Sequence, residues 1–298
     1  MKKLATKSCA VQLGNFANGE ISCKLGESVR GAEVFILQPH FQNVNDSIME
    51  QAIMIDAARR ASAASVTAVC PFLGYARQDR KSSGREPITA RLVVDLLAAA
   101  GADRIMSIDL HAGQIQGFFN GPFDHLVALP LLAKHIAKLC STDELMIVSP
   151  DAGRAKTAER YSRLLGCGMA IIHKQRSHHK HNSVEAKYLI GDVSGKVCVV
   201  IDDMIDTAGT ICAAADLLAE NGAKLVYGVA THGILSDPAL TRIEQSAFKK
   251  MIITDTLPLT VKSSKIKVIS VAPLLAGAIQ AVYQGESVSA LFDGKNQS

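Results

Sequence analysis

Short apolar runs alternate with amphipathic, helix-forming stretches along the whole chain, and this alternation constrains the fold more than any other feature. Apolar runs of about four to eight residues are typical of buried strands, and the stretches between them repeat apolar residues at the helical period. A chain that repeats strand, helix and strand builds a parallel sheet covered by helices on both faces. The sequence therefore predicts an α/β protein with mainly parallel sheets flanked by helices.

Nine buried strands are predicted, which is more than a single compact sheet commonly holds. They cover residues 34–38, 66–70, 104–108, 145–149, 169–173, 197–201, 225–231, 251–254 and 266–270. A polar stretch, 141–144, follows a predicted helix at 129–139 and precedes a new strand. We therefore expect two domains with a boundary at this stretch.

Two predicted helices carry clear end signals. The helix at 46–64 is opened by a capping Asn45 or Asp46. The helix at 88–100 ends at Gly101, because glycine readily adopts the left-handed conformation that terminates a helix.

The composition excludes several classes of function. With 298 residues, of which 48% are hydrophobic, the chain can bury a sizeable core. No apolar run approaches the ~18 residues that a membrane helix needs, and the first residues do not form a signal peptide, so we expect a cytoplasmic protein without a membrane partner. A net charge of +4, 5% aromatic residues and no Trp argue against binding of nucleic acid. A small anionic ligand suits this balance better.

The strongest candidate site follows the predicted strand 197–201. Two adjacent carboxylates, Asp202 and Asp203, come first. A run of small and hydroxylic residues then opens a helix: Asp206, Thr207, Ala208, Gly209 and Thr210. Small residues let backbone N–H groups close on a phosphate, and the helix N-terminus adds positive potential. The two carboxylates can then accept hydrogen bonds from ribose hydroxyls or hold a hydrated Mg²⁺. The alternative is an ordinary capped helix beside two solvated acids.

Three other strand ends carry groups that suit a phosphate or a metal, as expected where ligands bind beyond the carboxyl ends of parallel strands. Arg77 and Gln78 can fork around a nucleotide phosphate, although a surface ion-pair cluster is an equally simple interpretation. His111 either ligates a metal or contacts a phosphate, with Asp109 orienting it, or it is a structural histidine. The turn at Asp151 is either another phosphate loop or a routine connection between strand and helix.

Lys174 and Arg176 open a polar segment that has few apolar anchors. A loop carrying two cationic side chains can fold over a reacting phosphate and neutralise charge as it develops. The histidines that follow, His178, His179 and His181, can be interpreted as a metal tract. Because no further ligands are spaced nearby, a solvated loop is the favoured interpretation.

The chain contains neither a P-loop nor a dinucleotide-binding glycine motif, which excludes the P-loop kinases and the Rossmann dehydrogenases. Over almost its whole length it resembles the ribose-phosphate pyrophosphokinase family instead. The order and spacing of its segments carry this resemblance: 15–20, 74–80, 109–118, 149–153, 174–176, 199–210 and 287–292.

The resemblance implies two phosphoribosyltransferase-type domains with ATP bound between them. The ATP-binding domain comprises 1–142 and is rejoined by the C-terminal segment 283–298, and the ribose-5-phosphate-binding domain comprises 143–282. The implied reaction belongs to nucleotide biosynthesis and transfers the diphosphoryl group of Mg-ATP to the 1-hydroxyl of ribose 5-phosphate, giving 5-phosphoribosyl 1-diphosphate and AMP. Homo-oligomers, as hexamers built from dimers, with phosphate activation and ADP inhibition, are implied as well.

The resemblance also implies roles for individual residues. The ATP-binding residues are Phe16, Asn18, Glu20, Arg77, Gln78, Asp79 and His111. The first three belong to a loop that holds adenine and that a neighbouring subunit contributes. The residues that bind ribose 5-phosphate are Asp202, Asp203, Asp206, Thr207, Ala208, Gly209 and Thr210. Lys174 and Arg176 match the catalytic pair of the family, and His111 and Asp151 match positions near magnesium.

Three features depart from the family pattern. The adenine loop arrives almost at once, whereas the family normally opens with a strand and a helix, so the first strand is expected to be missing. Arg154 stands where a glycine is usual and adds bulk and charge beside Asp151. Pro39 stands where a regulatory-site serine is common in bacterial members.

Two other functions fit parts of the sequence. A non-catalytic regulatory subunit of the same fold binds the ligands without turnover. The missing strand favours it, and the intact segments 174–176 and 206–210 argue against it. A phosphoribosyltransferase that consumes the product shares the phosphate loop, but it leaves the Arg77 and His111 segments without a purpose.

Overall fold

The computed structural model describes residues 4, 8–175, 186–260 and 262–292. The chain divides into two compact units, the first made of Met1–Ala128 with Val271–Ser298 and the second of Leu129–Ser270. The boundaries expected from sequence lie further along the chain, after residues 142 and 282. The difference arises because the helix that begins at Leu129 belongs to the second unit and the helix that begins at Ala272 belongs to the first.

The described residues form thirteen strands and seven α-helices, and most of the longer strands are followed by a helix. The strands are β1 Val11–Asn15, β2 Ile21–Leu25, β3 Glu33–Leu37, β4 Ser65–Cys70, β5 Arg104–Ile108, β6 Phe123–Leu126, β7 Leu145–Ser149, β8 Gly168–Gln175, β9 Ala186–Ile190, β10 Val197–Ile205, β11 Leu225–Gly233, β12 Phe248–Thr254 and β13 Ile266–Ile269. The helices are α1 Val44–Arg60, α2 Thr89–Ala100, α3 Leu129–Ile136, α4 Ala155–Leu165, α5 Gly209–Glu220, α6 Ala239–Gln245 and α7 Ala272–Tyr283. None of these helices is long and apolar enough to cross a membrane.

The first unit contains a parallel sheet and a separate hairpin. The sheet has the strand order β3, β4, β5, β6, and every neighbouring pair is parallel. The hairpin pairs β1 with β2 antiparallel, and α1 packs against β2. Ile55, Leu97 and Ile105 bring α1, α2 and β5 into one buried core, and each such side chain stabilises the fold by roughly 1.5–3 kcal/mol.

The ends of two helices test the predicted end signals. α2 ends as predicted, with Gly101 as its C-cap at a φ of 110°. The predicted cap of α1 was wrong: its N-cap is Asn43, which makes no side-chain capping bond, and Asn45 and Asp46 lie inside the helix. Asn45 instead accepts a hydrogen bond from the hydroxyl of Tyr75 at 2.5 Å, so a tertiary contact takes the oxygen that local capping requires.

The second unit is built on a larger, mixed sheet. Its strand order is β13, β12, β11, β10, β7, β8, β9, and every neighbouring pair is parallel except β8 with β9. Val148, Val200, Leu218 and Ile253 belong to one buried cluster that joins the sheet to α5. The prediction of an α/β fold with mainly parallel sheets flanked by helices is therefore confirmed in both units.

Four described strands were not predicted, namely β1, β2, β6 and β9. Every residue of β1 is exposed, including Val11 and Leu13, so its short alternation of apolar and polar residues marks no buried face. β6 has only four residues, of which two are Asp124 and His125. The strand predicted at 197–201 was also too short, because β10 continues to Ile205 and includes Asp202 and Asp203.

Candidate active site

The first anion loop, residues 71–80, follows β4 and presents two predicted nucleotide ligands to solvent. Arg77 and Gln78 are exposed, whereas Phe72 anchors the loop and is only 8% exposed. The backbone N–H of Gln78 donates to the carbonyl of Tyr75 at 2.8 Å. Tyr75 has a φ of 60°, a left-handed conformation that non-glycine residues hold only where the surrounding structure enforces it.

A buried polar network of His40 and Gln51 supports this turn. The N–H of Gly74 donates to Nδ1 of His40 at 3.0 Å, and Nε2 of His40 lies 2.8 Å from Oε1 of Gln51. Because Nδ1 accepts, Nε2 carries the proton and donates to Gln51. The side-chain amide of Gln51 donates in turn to the carbonyls of Ile36 at 3.2 Å and Val69 at 3.5 Å. Burial lowers the pKa of His40 to about 4, so the network is neutral at neutral pH.

Asp79 holds the first anion loop from a second direction. Its side chain is buried, and Oδ2 accepts a hydrogen bond from Nε2 of Gln114 at 2.5 Å. Gln114 lies in the 3₁₀ turn Gly113–Phe118 that follows β5. Asp79 therefore links the loop 71–80 to the turn Gly113–Phe118 by a side-chain hydrogen bond.

The segment of Asp109 and His111 follows β5 as predicted. Asp109 has a φ of 39°, and its Oδ2 accepts a hydrogen bond from the N–H of Ala128 at 3.2 Å. The N–H of Leu110 donates to Nε2 of His125 at 3.0 Å. These contacts fix the backbone directly before His111, which is partly exposed.

The predicted adenine loop forms the tight turn of the β1–β2 hairpin. The N–H of Phe16 donates to the carbonyl of Glu20 at 2.8 Å, and the N–H of Glu20 donates to Oδ1 of Asn18 at 3.2 Å. Gly19 has a φ of 89°, which suits its position in the turn. The ring of Phe16 is 60% exposed, so this unit presents a bare aromatic face at the tip of the hairpin.

The second anion loop, residues 206–210, joins β10 to α5. Ala208 has a φ of 59° and is the N-cap of α5, and Thr207 and Thr210 are exposed. Nη1 of Arg242, in α6, donates to the carbonyl of Thr207 at 2.9 Å. The loop therefore places two hydroxyl groups beside a helix N-terminus, where backbone N–H groups and the helix dipole attract an anion.

Arg154 forms ion pairs with both carboxylates that precede this loop, those of Asp202 and Asp203. Its Nη2 lies 2.6 Å from Oδ1 of Asp203, and its Nε lies 3.2 Å from Oδ1 of Asp202. Burial and the neighbouring carboxyl of Asp203 raise the pKa of Asp202 to about 8, while Arg154 acts in the opposite direction. The solvated-acid alternative was therefore wrong for both aspartates, since neither carboxylate is more than 21% exposed.

Asp151 lies at the end of β7, as predicted, and caps the following turn. Its Oδ1 accepts a hydrogen bond from the N–H of Arg154 at 3.1 Å, and the hydroxyl of Ser149 donates to its carbonyl at 2.6 Å. The interpretation as a routine connection from strand to helix accounts for both contacts.

Lys174 lies near the end of β8, where its backbone pairs with that of Lys187 in β9. Arg176, the second residue of the predicted catalytic pair, lies outside the described residues, as do His178, His179 and His181.

The donor groups fit a magnesium ion that arrives with a nucleotide. Within the described residues, no cluster of three or more His, Cys, Asp and Glu side chains is arranged to hold a metal ion. The predicted positions, His111 and Asp151, lie in different units. Mg²⁺ at nucleotide sites keeps several waters and takes most of its other ligands from substrate phosphates, with one or two from protein. A single protein ligand, such as His111 or Asp151, is therefore enough for a magnesium ion whose other ligands are water and phosphate.

Sequence reasoning missed the residues that hold the two loops. His40 and Gln51 lie 34 and 23 residues before Gly74, and Arg242 lies 35 residues after Thr207. No local signal marks His40 or Gln51, since His40 lies in the polar stretch 38–43 and Gln51 follows Glu50 in α1. Nothing in the local sequence marks Arg242.

Comparison with known protein families gives two matches. The family model described as the N-terminal domain of ribose phosphate pyrophosphokinase matches residues 1–101. The family model described as the phosphoribosyl synthetase-associated domain matches residues 186–293.

Curated relatives match nearly the whole chain. A ribose-phosphate pyrophosphokinase from Bifidobacterium longum is 54% identical over 284 residues, which cover 94% of this chain and 84% of the relative. The protein of the same name from Corynebacterium glutamicum is 49% identical over 296 residues, covering 99% of this chain and 91% of the relative. The crystal structure of phosphoribosylpyrophosphate synthetase from Mycobacterium smegmatis superimposes with a TM-score of 0.90 at 49% identity, covering 95% of this chain and 93% of that one.

Proposed function

This chain belongs to the ribose-phosphate pyrophosphokinase family and is an enzyme of that family, and we propose that it transfers the diphosphoryl group of Mg-ATP to the 1-hydroxyl of ribose 5-phosphate. The products are 5-phosphoribosyl 1-diphosphate and AMP. One observation carries the proposal: each unit has a loop at the carboxyl end of a parallel strand that exposes candidate anion ligands. These are Arg77 and Gln78 in 71–80 after β4, and Thr207 and Thr210 in 206–210 after β10. A reaction between two phosphorylated substrates requires two such loops.

The first unit supplies the groups for the nucleotide. Arg77 and Gln78 bind its phosphates from the exposed side of a tethered turn, and His111 contacts the phosphates and the magnesium ion. Phe16 offers its exposed ring for stacking on adenine, and Asn18 and Glu20 supply polar groups on the same turn.

The second unit supplies the groups for the sugar. The hydroxyls of Thr207 and Thr210 and the N-terminus of α5 hold the 5-phosphate. Asp202 and Asp203 accept hydrogen bonds from the ribose hydroxyls, which fixes the direction of the ring.

Positioning and neutralisation of charge supply most of the rate. The anomeric hydroxyl attacks the β-phosphorus of ATP and releases its proton to solvent. The bond from the β-phosphorus to the oxygen that bridges to the α-phosphorus breaks, and AMP leaves with that oxygen. Lys174 and Arg176 neutralise the negative charge that develops on the transferred group. Bound Mg²⁺ lowers the negative charge of the triphosphate.

The test replaces Lys174 and Arg176 by Ala, singly and together, and follows AMP that forms only when ribose 5-phosphate is present. Loss of the pair is expected to lower kcat by on the order of 10³-fold, since charge-neutralising side chains act at that scale. Lys224→Ala and Arg163→Ala are the matched controls, because both side chains form exposed ion pairs in the same unit. AMP formation at the wild-type rate in the double variant would contradict the proposed role of the pair.

The alternatives are less well supported. The relatives at about 50% identity are named as the enzyme, which disfavours a regulatory subunit without activity. A phosphoribosyltransferase has no use for the nucleotide loop at Arg77.

The proposal also includes the cytoplasm as the location and self-association into hexamers of dimers. An adenine loop exposed at a hairpin tip suits a site completed by a second subunit, and sedimentation of the purified protein measures this assembly.

A further inference from the structure

Arg154 contacts both carboxylates of the predicted sugar-binding pair with two different nitrogens. The Nη2–Oδ1 distance to Asp203 is 2.6 Å, and the Nε–Oδ1 distance to Asp202 is 3.2 Å. The three side chains are poorly exposed, at 18% for Arg154, 9% for Asp203 and 21% for Asp202. A guanidinium that spans two shielded carboxylates holds both in a fixed orientation, because its N–H groups form a rigid fork.

The backbone reinforces this arrangement from both ends. The N–H of Arg154 donates to Oδ1 of Asp151 at 3.1 Å, which fixes the start of the side chain at the N-cap of α4. The N–H of Asp203 donates to Oδ1 of Asp202 at 2.9 Å, which fixes one of the carboxylates. Both aspartates lie in β10, a strand of the central sheet, and not in a loop.

Two adjacent, shielded carboxyl groups cannot both ionise at low cost without a counterion, which agrees with the raised pKa of Asp202. Taking like charges out of water is costly unless an opposite charge compensates them, and a divalent cation is the common alternative to an arginine. A divalent cation bound to the same oxygens would lie within a few ångströms of the Arg154 guanidinium, and the two would repel each other. The pair can therefore bind either the Arg154 guanidinium or a divalent cation, but not both at once.

We propose that Arg154 is a positioning residue that serves as the resident counterion of Asp202 and Asp203, so that this pair binds the sugar hydroxyls without a divalent cation. The inference rests on the proposed function, since it assigns the pair to ribose. It decides between the two roles that the sequence left open for these carboxylates, in favour of hydrogen bonding to the sugar and against holding Mg²⁺.

The test compares Arg154→Met, which keeps the length and removes the charge, with Arg154→Lys, which keeps a charge but not the fork. Arg163→Met is the matched control, because Arg163 lies on the same helix in an exposed pair with Glu159. Binding of Mn²⁺ to the nucleotide-free protein is counted by electron paramagnetic resonance. We expect Arg154→Met to bind one more ion per chain than wild type, and Arg154→Lys and Arg163→Met to match wild type.

Steady-state kinetics provide the second readout. Arg154→Met is expected to raise KM for ribose 5-phosphate by about tenfold, the equivalent of one charge-assisted hydrogen bond, and to leave KM for ATP within about twofold. Arg154→Lys is expected to raise it by about threefold, because an ammonium reaches one carboxylate at a time.

An unchanged Mn²⁺ count in folded Arg154→Met overturns the proposal, and so does a lower KM for ribose 5-phosphate, which would make Arg154 a competitor of the sugar. If Arg154→Met does not fold by circular dichroism, wild-type values of KM and kcat in Arg154→Lys overturn it. Failure of the proposed function appears differently, as the absence of sugar-dependent AMP from wild type, and the Mn²⁺ count then still decides the role of Arg154.

Discussion

The first anion loop rests on a neutral network, whereas charged side chains flank the second. Beneath the first, His40 and Gln51 are fully buried and joined by a hydrogen bond of 2.8 Å. Beside the second, Arg154 is ion-paired to Asp202 and Asp203 at 3.2 and 2.6 Å. Both loops contain a residue in a left-handed conformation, Tyr75 in the first and Ala208 in the second, but the neutral network contacts the first turn directly, whereas Arg242 contacts the second.

The contrast teaches which perturbation each loop tolerates. A neutral network has no charge for salt to screen, but it cannot accept a proton without losing a hydrogen bond. A charged cluster tolerates an added proton on one carboxylate, but it leaves an uncompensated charge when its partner is removed. The following experiments are ordered from the largest expected effect to the smallest.

Replacing Gln51 by Leu should give the largest difference in stability between the two units. The change leaves Nε2 of His40 without its acceptor and removes the donor to the carbonyls of Ile36 and Val69, so we expect a loss of roughly 3–5 kcal/mol in the stability of the first unit. Hydrogen exchange with mass spectrometry at increasing urea measures each unit by its own peptides. Gln280→Leu, on the exposed face of α7, is the matched control and should change stability by less than about 0.5 kcal/mol. Equal exchange in the two variants would show that the network does not hold the loop.

Acidification should weaken the first unit through His40. Its folded-state pKa of about 4 lies below its ordinary value of 6.5, so below pH 6.5 the unfolded chain takes up a proton that the folded chain refuses. The contribution of neutral His40 to the free energy of unfolding is fully present above pH 6.5. It falls as the pH drops from 6.5 to 4 and is lost below pH 4, a total loss of about 3 kcal/mol.

The measurement is unfolding by urea at several pH values in wild type and in His40→Gln, which cannot titrate. The difference between the two proteins isolates His40 from the carboxyl groups that titrate in the same range. A difference that stays constant between pH 6.5 and 4 would mean that His40 accepts its proton as easily in the folded state as in the unfolded one.

Replacing Arg242 by Met should produce the smallest effect, confined to the second loop. The variant loses the 2.9 Å hydrogen bond to the carbonyl of Thr207, so the loop is less well held for the sugar phosphate. We expect KM for ribose 5-phosphate to rise by about fivefold with KM for ATP unchanged. Arg163→Met again serves as control. A parallel rise in both KM values would show a general loss of structure.

Much of the fold follows from local pattern. β5 and β7 were predicted with their observed bounds, because each is a short apolar run that is buried and that polar residues limit on both sides. The hairpin of β1 and β2 was missed because all residues of β1 are exposed. The end of β10 was placed too early, since two carboxylates ordinarily end a buried strand. Here β10 stays paired with β11 as far as Ile205, and Arg154 contacts both carboxylates.

The candidate ligands were predictable in the same way. Arg77, His111 and the 206–210 loop follow strands that the apolar pattern marks, and polar residues at those ends indicate a ligand. The supporting residues were not predictable, because Gln51 lies within a helix whose pattern gives no reason to bury an amide.

By itself, the sequence determined the main strands and helices and the positions of the two loops that follow β4 and β10, and it supplied the residues that we propose as substrate ligands. Only the tertiary structure decided what supports those loops, namely His40 with Gln51 in one unit and Arg242 in the other, and that Arg154 pairs with Asp202 and Asp203. The physical reason is one of range. Periodicity and capping act over a few neighbouring residues, whereas the bonds from Gly74 to His40 and from Arg242 to Thr207 join residues 34 and 35 positions apart.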